Sequence, residues 1–596
     1  MASSSFKKMI EERNKYSLER FIEHFKESPS NEFGKDEEKY TVVDHITIDG
    51  SEFIKNEFYF LNVIFEGNVT FKDIHFGKGF VFELCEFKGE VKFENCTSSE
   101  EQLGGFFLRK ASLGITRCKI SGNLAIENCT LKNGLLIHGF ENEQTSMRSL
   151  RLEGGLINGN LSLENSSIEQ SVLIIRTEIN GYGLRLENVK TGETLRISPN
   201  KCKDIIFFGR SSIYRDNVYI LGQNLDSLTF NNGEFQGEIL LENTSIDKYL
   251  SIYGAKFQDS FKISSSESPN LPKSKNLEIT IQDSQFENGL TFLGEKCPTK
   301  KLNLNFSEKS SGVLDFRNTS FREVHLKGIN FNNSVFFRDC FFEEIVFSHF
   351  FNKALVSLNN NKPKGKETNA ENLLIENSNL GNTEFYDFDF SIYPIVRIID
   401  SRLDSIFVNG VTWFESDQLH IDESETDPKK ILSQKREIYR QLKLAAEKQS
   451  DRITALEFKA KEVETHRLYL ELGNVKKADR WAILAGKTNN HGQDWIKPLW
   501  AIIFISFGFF FPLFFIADPE INFWPDVSKA GWNFFWVKLS DHSKIIPQLF
   551  NPARRVSDMF DEIQYPFWVY FLDGLHRIVL AFFIFQIVSA FRKFVK

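Results

Sequence analysis

A hydrophobic repeat of eleven residues restricts this chain to an elongated, stacked fold. Residues 65–96 read FEGNVTFKDIHFGKGFVFELCEFKGEVKFENC, in which Phe65, Phe76 and Phe87 form one evenly spaced series and Phe71, Phe82 and Phe93 a second. The two series interleave at steps of six and five. The same grid returns with aliphatic residues at Ile157, Ile168 and Ile179, interleaved with Leu163 and Ile174. It recurs at Phe235, Ile246 and Phe257, with Leu241, Ile252 and Ile263 between them. Around Phe316 and Phe321 the five-residue step survives while the register loosens. A fixed short period means that each unit buries its apolar face only by stacking on its neighbours.

Each unit has two halves. One reads apolar-x-apolar, as in Val69-Thr70-Phe71, Val91-Lys92-Phe93, Leu161-Ser162-Leu163 and Leu250-Ser251-Ile252, the alternation of a strand with one buried face. The other reads small-x-large, as in Cys85-Glu86-Phe87, Cys118-Lys119-Ile120, Cys129-Thr130-Leu131, Ser166-Ser167-Ile168 and Ala255-Lys256-Phe257. Small beside large lets layers stack without overfilling a narrow interior. Asparagine precedes the small position at Asn95, Asn128, Asn165, Asn188, Asn243 and Asn377. Glycine follows the large position by two at Gly67, Gly89, Gly122, Gly159, Gly181 and Gly237. Both types take left-handed backbone angles, so both are expected to form sharp corners.

Eleven residues also make three helical turns. Recurrent Gly and Asn with β-branched and Phe-rich runs oppose a helix. Half a coil fits better, with four faces of five and six residues closing one turn. Residues 45–415 then give roughly 17 coils, a rod on the order of 80 Å at the ~4.8 Å strand spacing. The stretches 97–112, 198–212, 264–283 and 352–371 break the register and read as excursions, the first candidates for a partner contact.

The spacing from Phe65-Glu66-Gly67 to Phe71, and from Phe87-Lys88-Gly89 to Phe93, resembles that of the pentapeptide-repeat family and its relatives. The resemblance covers the repeat region and implies a right-handed quadrilateral parallel β-helix. It implies little about activity, because one fold hosts many roles.

Composition agrees with a stacked interior. The 61 phenylalanines outnumber the 14 tyrosines and 8 tryptophans together, so the aromatic content is almost wholly apolar. A net charge of -8 and a pI near 5.9 speak against nucleic-acid binding. Cys85, Cys96, Cys118, Cys129, Cys202, Cys297 and Cys340 are odd in number, form no C-x-x-C pair and all lie in the repeats. A reduced, cytosolic setting is expected. The first residues, MASSSFKKMIEERNKY, have no apolar core of the secretory-signal type.

The ends differ from the repeats. Residues 1–44 are expected to form a helical cap, with Ile10, Leu18, Phe21, Ile22 and Phe25 striping a helix over 4–27. Asp427-Pro428 marks a helix start, and 427–490 reads as a charged helical hairpin turning near Gln449-Ser450-Asp451. Its residues Ile438-Tyr439-Arg440, Leu442-Lys443, Ala455, Phe458 and Glu462 resemble the linker of bacterial pentapeptide-repeat membrane proteins, which joins repeats to a C-terminal membrane module. Residues 495–596 are expected to be that module. LWAIIFISFGFFFPLFFIA at 499–517 carries no charge over its whole length, with Pro512 as a kink. A second candidate lies at 565–591, of which about 571–591 would cross, followed by Arg592 and Lys593.

Basic residues flank both spans, whereas the connecting loop has Lys529, Lys538, Lys544, Arg554 and Arg555 against seven acidic residues. The positive-inside rule then places the solenoid and both termini on the cytoplasmic side of a multi-pass protein of the bacterial inner membrane. Asp573, His576 and Arg577 are the unusual residues of the second span. Asp573 and Arg577 can pair one turn apart, and the simplest expectation sets all three at headgroup level, with the apolar span starting near Ile578. In 521–537, Trp524, Trp532 and Trp536 suit an interfacial helix; no TVGYG filter is present.

No H-E-x-x-H, G-x-S-x-G or G-x-x-x-x-G-K-[ST] pattern occurs. Glu86, Glu94, Glu164 and Glu242 sit at outward positions, where solvation explains them. The expectation is therefore a non-enzyme without cofactor, metal or nucleic acid: a membrane-anchored scaffold offering its rod to a cytoplasmic protein. The second expectation is a homo-oligomeric pore gated by the solenoid in stress or phage defence, with Asp573, His576, Arg577, Pro512, Trp532 and Trp536 as membrane or pore residues. A carbohydrate-active β-helix ranks third.

Overall fold

The computed structural model describes residues 15–16, 32–33, 40–49, 58–76, 79–99, 111–264, 276–294, 299–361, 370–421, 425–472, 485–490, 494–517, 528–543, 545–555 and 567–591. They fall into two units, Met1–Gln418 and Leu419–Lys596.

The first unit is a parallel β-solenoid of ~15 turns. One coil shows its plan. Strand Val63–Phe65 forms the first wall, Val69–Lys72 the second, His75–Phe76 the third and Phe80–Glu83 the fourth. The next coil repeats them in parallel register: Glu86 lies beside Ile64, Val91 beside Val69 and Thr97 beside His75. Each of these steps is twice the sequence repeat, so eleven residues are half a coil.

Fewer coils form than a uniform repeat gives, because some steps are longer. Leu113 pairs with Phe80 across the 97–112 stretch, and Leu161 pairs with Leu135 across the small turn at Phe140 and Glu143. The stretch 198–212, expected to break the register, instead carries strand Asp204–Phe208 in register with Leu184–Glu187. The centres of the other three expected excursions lie outside the described residues. So does nearly all of the expected N-terminal helix. Its described pair, Lys15–Tyr16, is strand and not helix, parallel to Thr41–Val42. The backbone groups at the edge of a first coil can be satisfied by another strand as well as covered by a helix.

Large residues form internal columns. Phe65 stacks on Phe87 at 4.7 Å and Phe71 on Phe93 at 4.9 Å. A longer column runs Tyr214, Phe235, Phe257 and Phe286 at 4.7, 5.1 and 4.9 Å, close to the strand spacing that sets it. Small residues sit under the corners. Thiols of Cys85 and Cys96 and hydroxyls of Ser166 and Ser284 each donate to the carbonyl two residues earlier, adding a second donor to an oxygen that already accepts from the neighbouring coil's backbone. The six described cysteines are buried, and no disulfide joins them.

The two corner residues act differently. Asn95, Asn128, Asn165, Asn188, Asn243 and Asn377 all have positive φ, between 47° and 52°. The glycines two beyond the large position do not. A Cβ on Gly67 would lie 2.6 Å from the Asp44 carbonyl oxygen, and one on Gly89 2.7 Å from that of Gly67. These glycines permit coil-on-coil backbone contact, which corrects the expectation that they make the bend.

In the second unit, α1 (Pro428–Lys448) starts where Asp427 accepts a bond from the Lys429 amide, and α2 (Arg452–Glu471) where Asp451 accepts from Thr454. Between them Ser450 takes a φ of 62°. Ile438, Tyr439, Leu442, Ala455 and Phe458 are the buried seam of this hairpin, and Lys443 meets Glu462 at 2.7 Å. The chain continues into α3 (Ile496–Ala517), α4 (Lys529–His542), α5 (Ile545–Leu549) and α6 (Phe567–Phe591). Two of these, α3 and α6, are long and apolar enough to cross a membrane.

Candidate functional site: a buried ionic cluster in the apolar helix pair

α3 and α6 run antiparallel. Trp495, just before α3, stacks on Phe591 at the far end of α6, and the Asn489 side chain donates to the Gln586 carbonyl at 3.1 Å. At the other end Phe510 and Leu513 of α3 pack with Val569 of α6 and with Ile545 and Leu549 of α5. The short α5 is thus folded back onto the pair, and the six residues after it carry Arg554 inward.

Arg554 is 2 % exposed, Asp573 1 % and His576 not at all. The Arg554 guanidinium donates to Asp573 Oδ1 from Nε at 3.0 Å and from Nη2 at 2.6 Å. Its Nη1 donates to the Leu549 carbonyl at 2.9 Å, which ties the loop's own backbone to the cluster. Arg577 pairs with Asp573 Oδ2, one helical turn away. Both carboxylate oxygens are therefore taken.

His576 has one arrangement open to it. A guanidinium only donates, so Nδ1, 2.8 Å from Arg554 Nη2, must accept. The ring proton then sits on Nε2, which donates to Ser506 Oγ on α3 at 3.3 Å. Phe509 covers the ring at 4.9 Å. Burial draws the Arg554 guanidinium below its ordinary value while Asp573 opposes this; a guanidinium stays charged through such a shift. The cluster holds two cations and one anion around a neutral ring. Its surplus charge is on Arg577, whose side chain is 31 % exposed.

Of the residues expected from sequence, the structure brings Asp573, His576 and Arg577 together and pairs the two that are one turn apart. On an α6 that is continuous from Phe567 through the charged triplet, the side chains of Asp573 and His576 lie inside the helix packing. The cost of burial is met by Arg554, whose guanidinium supplies the missing counter-charge. Pro512 faces outward within a helix that runs through it, and Trp532 and Trp536 lie exposed on α4; none of the three joins the cluster. Trp524 lies outside the described residues. Sequence reading missed Arg554 and Ser506. Arg554 looked like one loop charge among five, and only an unsatisfied Asp573 could have asked for it. Among the described residues no group of His, Cys, Asp or Glu is placed to hold a metal ion. Comparison with protein-family models, curated proteins and solved structures finds no match.

Proposed function

We propose that this is a non-enzymatic, membrane-anchored solenoid of a bacterial inner membrane, whose rod offers an extended cytoplasmic surface to a protein partner. The inverted polarity of the α3–α6 pair carries the reading. Phe504, Ile578 and Phe585 are 70 %, 69 % and 61 % exposed, while Asp573, His576, Ser506 and Arg554 are enclosed. In water such a surface would be a large aggregation-prone patch; in lipid it is what the solvent requires. At 1.5 Å per residue α6 is about 37 Å long, enough for a ~30 Å hydrocarbon core with some tilt. The exposed Trp532 and Trp536 of α4 suit the interface beyond the span.

One observation favours a homo-oligomeric pore as the second reading. Arg577 is near the middle of α6 and partly exposed, and a charge so placed in a bilayer turns toward protein or water. A ring of copies could enclose it. The full chain reconstituted into dye-loaded liposomes tests both readings. The anchor reading expects the protein to float with vesicles that keep their dye. Leakage that falls in Arg577→Gln would move the assignment to the pore, and protein that stays at the bottom of the gradient would end both.

A further inference from the structure

Where the fourth wall meets the first, one stretch of the corner opens into a recess. Arg210, Asn231, Asn232, Tyr253, Lys256, Gln282, Asp283, Gln285 and Lys309 border a cavity of about 500 Å³ there. They come from five successive coils, because Phe208 pairs with Asn231, Asn231 with Tyr253, Tyr253 with Gln282 and Gln282 with Asn305. Four steps at the strand spacing make the recess about 19 Å long. Arg210 lies at one end, Lys309 at the other and Lys256 between them.

The charge is the reverse of the chain's. Three cations face one carboxylate, Asp283, in a protein whose net charge is -8. Lys256 has a loose exposed partner in Glu287 at 3.4 Å, and neither Arg210 nor Lys309 has an acidic partner among the described residues. Elsewhere on the rod about half of the described lysines and arginines meet a carboxylate, as Lys92 meets Glu94 and Glu127, Lys262 meets Glu238 and Lys300 meets Glu278; what sets the recess apart is that three cations border one cavity with a single carboxylate. Between the cations stand side-chain amides. Asn232 bonds Asn231, and Gln282 bonds Asp283 at 3.2 Å, which leaves amide donors and acceptors free for a further partner.

We propose that this corner recess binds a nucleotide-sized organic phosphate. Arg210 and Lys256, two coils apart, with the amides of Asn231 and Asn232 between them, would hold the phosphate oxygens, and Tyr253 with the Gln282 amide, toward Lys309, would hold the sugar and base. The volume lies within the range of small-molecule sites. An acidic peptide strand fits less well: the fourth-wall backbone is already hydrogen-bonded to the coils above and below, so no open edge exists for it to extend.

Calorimetric titration of the full chain in detergent tests this, with adenosine triphosphate and a uridine diphosphate sugar as probes. At least one should bind with one-to-one stoichiometry, and more tightly than inorganic triphosphate. Arg210→Glu with Lys256→Glu should weaken it at least about tenfold, Tyr253→Ala several-fold, and the remote Lys119→Glu not at all, with unchanged melting curves in all three. Heat from neither nucleotide, equal binding by the doubly reversed variant, or equal affinity for inorganic triphosphate would each overturn it.

Discussion

At the coil corners, single residues carry the geometry. Asn128 holds a φ of 52°, a region that costs an ordinary L-residue roughly 1–2 kcal/mol. Asn128→Val should lower stability by about that amount, and Asn128→Gly should leave it nearly unchanged. Gly89 is the opposite case: its φ is not positive, but a Cβ would meet the backbone of the coil beneath. Gly89→Ala should therefore destabilise although alanine suits the angle. Urea unfolding of the full chain in detergent checks all three substitutions. In the helix pair, Asp573→Asn leaves Arg554 buried without its counter-charge, a change that costs about 3–5 kcal/mol in buried pairs. Arg554→Met together with Asp573→Leu should recover much of the loss in detergent melting experiments. A double variant no better than the single one would mean that the ion pair is not what holds the loop.

An inner column works as an element because the ladders fix its spacing. Phe235 stands between Tyr214 and Phe257, and the coils cannot close over a missing ring without breaking β-pairing. Phe235→Ala should cost about 3–5 kcal/mol, and the damage should stay local, since each coil touches only its neighbours. Hydrogen exchange should rise over 213–261 and stay unchanged near Phe71. A uniform rise along the rod would argue against stacked, separable coils. These columns were legible in the sequence because a buried strand face writes its period directly into the residue types, and Asp427-Pro428 was legible because a helix start needs an acceptor and a preset φ. The pairing of Arg554 with Asp573 was not, because a contact across 19 positions and a turn leaves no periodic trace. The glycine role was misread for a related reason: Gly marks both positive φ and close approach, and only the neighbouring coil distinguishes them.

At the scale of the molecule, a rod with water-facing polar residues and a helix pair with outward apolar residues ask for two different solvents. On the proposed function those solvents are the cytoplasm and the bilayer, with the α3–α6 connection on the far side. Tyr182, 85 % exposed on the solenoid, and Trp536 on α4 report the two sides. With an impermeant maleimide, Tyr182→Cys should be labelled in inside-out vesicles and protected in intact spheroplasts, and Trp536→Cys the reverse. Labelling of both from one face would remove the transmembrane arrangement. The most direct measurement is made on α6 itself, with a nitroxide at Phe585→Cys in protein reconstituted into bilayers. With α6 in the bilayer, its relaxation should respond strongly to lipid-soluble oxygen and weakly to a water-soluble nickel chelate; a stronger response to the chelate would take α6 out of the membrane.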